Sequence, residues 1–253
     1  MKKIVLFALL AAHLVTAQHS KRKLVWQEDF KGSQLEESVW NYELGNGCPN
    51  ICGWGNNERQ SYTKANHRLQ NGHLIIEARK EAENYTSTRI TTKGKKEFQY
   101  GRIECRAKLP VGKGIWPAFW MLGSNIDTKG WPKCGEIDIL EYVGRDPHQV
   151  YTTLHTQDGH GENGHGKKTG IPLIEQGFHV FAVDWSKDKM DFFVDEELVF
   201  TYNPQSKNED NWPYDQPFYI IVNMAVGGNF GGPGVDDAIF PQSFIVDYIK
   251  VYQ

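Results

Sequence analysis

From about residue 24 onward, apolar and polar residues alternate in short runs, and no stretch keeps a 3.6-residue period for long. Period-two runs rich in β-branched and aromatic side chains predict strands. They fall at Leu24 to Phe30, Leu74 to Arg79, Phe98 to Leu109, Glu136 to Tyr142, Tyr151 to Thr156, His179 to Trp185, Lys189 to Val194, Phe218 to Met224 and Phe244 to Tyr252. Gly, Pro, Asn and Asp punctuate them. Asn71-Gly72 reads as a turn and Val194 to Glu197 as a hairpin tip. Little helix is expected, at most a turn near Asp215 or at Pro172 to Gln176. Many short strands without βαβ alternation predict an all-β sandwich or jelly roll. No repeat or low-complexity linker interrupts the pattern, so residues 18–253 read as one domain.

The first residues break this pattern. Lys2 and Lys3 precede a mostly apolar run, Ile4 to Val15, which is shorter than the roughly 20 residues a bilayer span needs. Small residues follow at Thr16-Ala17, so residues 1–17 read as a cleaved signal peptide. A secreted or periplasmic location is expected, with no membrane span. Export permits disulfides. Cys48 and Cys52 flank a short Gly-rich loop where a local staple is plausible, but Cys48, Cys52, Cys105 and Cys134 allow three pairings. Their irregular spacing argues against zinc. The net charge of −3 and the lack of a basic cluster argue against a nucleic-acid partner.

The sharpest chemical signal is Glu136-Ile137-Asp138-Ile139-Leu140-Glu141. Period two puts Glu136 and Asp138 on one face of a strand and Ile137 and Ile139 on the other. Adjacent carboxylates on one face raise at least one pKa, as acid/base chemistry requires. Glu141 is five residues from Glu136, an odd offset that sends it to the wrong face of a regular strand. One extra residue at Ile139-Leu140 restores it, so a β-bulge is expected there. Trp116, Ala118 and Trp120 share one face just upstream, and Pro117, Phe119 and Met121 the other. Together with Trp131, they offer flat apolar rings on which sugars stack. The bland alternatives are a solvated acidic face, core tryptophans, or a divalent cation held by the acids.

With these residues in view, the chain resembles glycoside hydrolase family 16, and within it the bacterial laminarinases. The resemblance covers roughly residues 24 to 253. It rests on the Glu136–Glu141 run, Gly101-Arg102-Ile103-Glu104, Gly114 to Trp120, Trp131 to Gly135, Gly53 to Glu58, and the closing Phe244 to Tyr252. It implies a β-jelly-roll sandwich of two curved antiparallel sheets with an open concave cleft. It also implies a nucleophile at Glu136, an orienting acid at Asp138 and an acid/base at Glu141. Sugar contacts are implied at Asn57, Arg79, Trp116, Trp120, Trp131, His155 and Asn223. No catalytic cofactor is implied. A structural Ca²⁺ is, held by Glu28 or Asp29, Gly72 and Asp247. The expected partner is a β-1,3-glucan such as laminarin, or a mixed β-1,3/1,4-glucan, acted on by a monomer. The alternatives are cleavage of an agar-, porphyran- or carrageenan-type polysaccharide, or glucan binding without catalysis.

Overall fold

A computed structural model describes residues 22–253, so the export segment 1–17 lies outside the described residues. Two sheets account for most of the regular structure. One has eight strands. Its order is His165–Gly170, Gln149–His155, Glu136–Glu141, Ile115–Gly123, Phe218–Val226, Arg89–Thr91 and Asn41–Tyr42, with Glu97–Phe98 also beside Phe218–Val226. The other has ten strands, centred on Gly101–Lys108, Gln242–Tyr252 and His73–Glu81. Pairing is antiparallel except where Gln60–Tyr62 runs parallel to Asn84–Ser87.

The core is the space between the sheets. Phe119, Met121, Ile137, Ile139 and Leu140 enter it from the eight-stranded sheet, and Ile103, Phe181, Phe192, Phe244 and Ile249 from the other. Alternation therefore works as the sequence predicts: every second residue of Ile115–Gly123 is fully buried, while Trp116 and Trp120 turn outward, half-buried. The nine strands anticipated from periodicity are present, with ends shifted by a few residues. Strands such as Gln60–Tyr62, Asn84–Ser87 and His165–Gly170 are short or polar edge segments with little alternation to betray them. Helix is scarce, as the pattern predicts. Pro172 to Gln176 and the neighbourhood of Asp215 are turns, and the short helices are Ile126–Lys129 and Gly228–Gly231.

The Cys48–Cys52 disulfide forms, and Cys105 and Cys134 are free and buried. Cys134 has a positional role. With Leu122, Tyr219 and Ile221 it builds a second, smaller apolar cluster on the outer face of the eight-stranded sheet. The 124–135 loop folds back over that cluster and presents Trp131. Gly123 is the pivot: its N–H donates to the Gly135 carbonyl at 3.2 Å, and a Cβ there would sit 2.0 Å from the Cys134 carbonyl oxygen. Gly123→Ala is expected to cost about 1–3 kcal/mol through overpacking. A calorimetric scan should show a Tm lower by about 3–10 °C.

Candidate active site

The Glu136–Glu141 strand carries the site because its two faces make opposite demands. Ala118 pairs with Glu141, Phe119 with Leu140 and Trp120 with Asp138, so Ile139 is the unpaired extra residue of a bulge. The pairing with Gln149–His155 shifts over the same residues. Ile139 and Leu140 consequently both point into the core, fully buried. Glu141 returns to the outer face with Glu136 and Asp138, as the odd spacing requires.

Each glutamate meets an indole donor. Trp131 Nε1–H donates to Glu136 Oε2 at 2.8 Å, and Trp116 Nε1–H donates to Glu141 Oε1 at 3.1 Å. His155 faces Glu136 across the strand pair. Its Nε2 lies 3.2 Å from Asp138 Oδ2 and 3.8 Å from Glu136 Oε1. One donor atom from each of Glu136, Asp138 and His155 falls within 4.8 Å of the others, the tightest such cluster among the described residues. A divalent cation wants six or more oxygens around it. Here a flat strand face offers three groups, with one Glu136 oxygen already bonded to Trp131.

Burial separates the three acids. The side chain of Glu136 is 17% exposed and that of Asp138 is 4% exposed. Desolvation pushes Glu141 well above the usual carboxylate range, the charges of Asp138 and Glu136 push it further, and His155 and the Trp116 N–H oppose them. Asp138 is likewise pushed well up, first by burial and then by the charge of Glu136. Two buried acids that hold their protons more tightly than usual thus share the face with the more exposed Glu136. That is the division of labour a general acid and a nucleophile need.

The predicted sugar contacts divide. Trp131 is 47% exposed, tilted over His155 and edge-on to His160. Trp116 packs edge-on to Phe230, which packs on Tyr151. Trp120 donates to Asn223 Oδ1 at 2.7 Å, so Asn223 is on the right face but its amide is committed to neighbours. Asn57 is exposed and donates to Asn229 Oδ1 at 2.8 Å. Arg79 is not part of this group. It lies in His73–Glu81 of the ten-stranded sheet and pairs with Glu77 at 2.7 Å. A basic group on the site's sheet that the sequence reading missed is Arg89, in register with Asn223. It is buried, pairs with Glu43, and lies 4.5 Å from the Trp54 ring centre and 4.8 Å from that of Trp120. Its signal was a lone cation in a β-branched run, Thr88-Arg89-Ile90-Thr91, but nothing in that run identifies its aromatic partners.

The expected calcium ligands lie away from these acids. A Cβ on Gly72 would come 3.9 Å from the Asp29 carbonyl oxygen, so those two main-chain segments are close. Asp247 pairs with Arg106 and lies 3.5 Å from His73, the residue after Gly72. The Glu28 carboxylate is occupied by the Phe30 N–H and the Trp40 indole. The corner therefore offers main-chain oxygens and one carboxylate that is already charge-compensated.

Because its pKa is raised in the folded state, Glu141 binds its proton more tightly folded than unfolded, where the value is about 4.3. Its contribution to stability is therefore lost as pH rises through the folded value. Glu141→Gln should raise Tm by a few degrees near pH 8 and leave it nearly unchanged near pH 4, as measured by thermal scans at the two pH values.

Comparisons with known proteins agree with this geometry. Residues 55–248 match the model of Glycosyl hydrolases family 16. A β-glucanase of Rhodothermus marinus is 42% identical over 250 residues, spanning 91% of this chain and 85% of the relative. A glucan endo-1,3-β-glucosidase of Cryptopygus antarcticus is 39% identical and spans 96% of each chain. The crystal structure of laminarinase from Flavobacterium sp. UMI-01 superposes with a TM-score of 0.90 at 70% identity, covering 91% of this chain and all of that one. By sequence, fold and the matched catalytic strand alike, the chain belongs to glycoside hydrolase family 16.

Proposed function

We propose that this protein is an endo-acting, retaining β-1,3-glucanase of the laminarinase type, which also accepts mixed β-1,3/1,4-glucan. The observation that carries the reading is the bulge that sets Glu136, Asp138 and Glu141 on one face in different states of burial. Relatives named as endo-1,3-β-glucosidase and laminarinase support the substrate class, and a non-specific endo-β-1,3(4)-glucanase at 39% identity supports the mixed linkage. A sulfated substrate is less well served. Arg89 and Lys168, the cations in register with Glu141 across the sheet, are already paired with Glu43 and Asp146.

The chemistry follows from the arrangement. Glu141 enters protonated and gives its proton to the glycosidic oxygen as the C–O bond breaks. Glu136 attacks the anomeric carbon from the other face and forms a glycosyl ester. Esterification removes the negative charge of Glu136, one of the causes holding Glu141 up. Glu141, now ionised, takes a proton from the incoming water, whose attack on the anomeric carbon breaks the ester and releases Glu136 with net retention. Asp138 lies beside Glu136 and His155 and orients the nucleophile. Trp116, Trp120 and Trp131 supply stacking surfaces, and Arg89 takes the place first assigned to Arg79.

The apolar leader and the Cys48–Cys52 bond fit secretion or periplasmic export of a monomeric enzyme. Among the described residues no helix is long and apolar enough to cross a membrane. We also propose a structural Ca²⁺ held by the Asp29 and Gly72 carbonyls and by Asp247.

Laminarin and lichenan should both yield new reducing ends. Glu136→Ser should abolish turnover while retaining laminarin binding, and Glu141→Gln should lower kcat/KM by about 10²–10⁴-fold. Normal activity in Glu136→Ser would remove the nucleophile assignment. Millimolar Ca²⁺ should raise Tm by a few degrees, EDTA should reverse this, and Asp247→Ala should abolish the response. An unresponsive wild type would remove the ion from the account.

A further inference from the structure

Behind Trp120 lies a buried polar chain that the double displacement does not use. Glu58 is 9% exposed. Its Oε2 accepts from Gln60 Nε2 at 2.6 Å and from the Tyr62 hydroxyl at 3.1 Å. The Tyr62 oxygen in turn accepts from Asn223 Nδ2 at 3.0 Å, and Asn223 Oδ1 accepts the Trp120 indole N–H at 2.7 Å. Tyr62 and Asn223 are both buried, so water does not substitute for any link. Trp120 is paired across the strands with Asp138.

The polarity of this chain is set at both ends, by the Glu58 carboxylate and by the Trp120 indole N–H, which can only donate. An ionised carboxylate only accepts hydrogen bonds. Glu58 therefore compels the Tyr62 hydroxyl to donate toward it, which leaves the Tyr62 lone pairs to accept from Asn223. That fixes the Asn223 amide with its NH₂ toward Tyr62 and its carbonyl toward Trp120. With the amide reversed, its NH₂ would face the Trp120 N–H, donor against donor. The nearby Arg89 guanidinium, itself against the Trp120 ring, opposes the burial that raises the pKa of Glu58.

We infer that Glu58 is a positioning residue for substrate binding. Through Tyr62 and Asn223 it sets the plane of the Trp120 ring, and so the stacking of the sugar beside the catalytic acids. The inference rests on the glucanase reading given above. Its action is on binding, not on bond cleavage, because none of the three links reaches Glu136 or Glu141.

The test is steady-state kinetics on laminarin with Glu58→Gln, Tyr62→Phe and the double variant. Tyr62→Phe removes one oxygen without changing the packing volume, so it reports even where Glu58→Gln folds poorly. Each single variant should raise KM by about tenfold with kcat within about threefold of wild type. The double variant should be no worse than the poorer single, since both substitutions act on one chain. Glu58→Asp should recover part of the KM. An unchanged KM in Tyr62→Phe, a fall in kcat at constant KM, or additive effects would overturn the inference. Wild-type turnover of laminarin, run alongside, judges the reaction itself. If it were absent, laminarin affinity electrophoresis of Tyr62→Phe against wild type would still decide the relay, with equal mobility counting against it.

Discussion

The structure depends on one strand that must satisfy a hydrophobic core and a polar surface at once. Glu136–Glu141 sits between two neighbours in the eight-stranded sheet, so it cannot rotate or slip without losing hydrogen bonds on both edges. Ile137, Ile139 and Leu140 all belong to the core. A regular strand would bury Glu141 among them, an outcome far costlier than one disrupted rung of the ladder. The bulge is thus the lower-energy solution to a conflict written into the order of six residues, and the active site is its by-product.

The second constraint is the shell of rings around those acids. Glu136 and Glu141 each accept from an indole carried by a different element, Trp131 from the 124–135 loop and Trp116 from the adjacent strand. A buried carboxylate without such donors would be expensive. The loop holding Trp131 is pinned by its own apolar cluster around Cys134 and by the close approach at Gly123. Packing remote from the acids therefore governs where Glu136 points. Likewise Trp120 is held from behind by Asn223 and Tyr62 rather than by the strand that carries it.

These pieces give the two glutamates their different characters. Both lie on one strand within one sheet, yet Glu141 is nearly sealed and Glu136 keeps contact with solvent. Asp138 lies between them, and its charge adds to the burial that raises Glu141. Protonation follows environment rather than residue type, which is how one short segment supplies a proton donor and an electron-pair donor together.

The sequence by itself determined the all-β class, nine of the eighteen strands among the described residues, the bulge and the three acids, because each depends only on local alternation of side chains. It also carried enough motifs in order to identify the family. Which arginine lies on the acids' sheet was another matter: Arg79 and Arg89 look alike in sequence, and only the assignment of their strands to different sheets separates them. The same holds for Glu58 and Tyr62, which local pattern shows as ordinary strand residues. Their connection to Trp120 spans 161 positions between Tyr62 and Asn223, then 103 between Asn223 and Trp120. Contacts across such separations are fixed by sheet order and loop packing, so tertiary structure alone decided them.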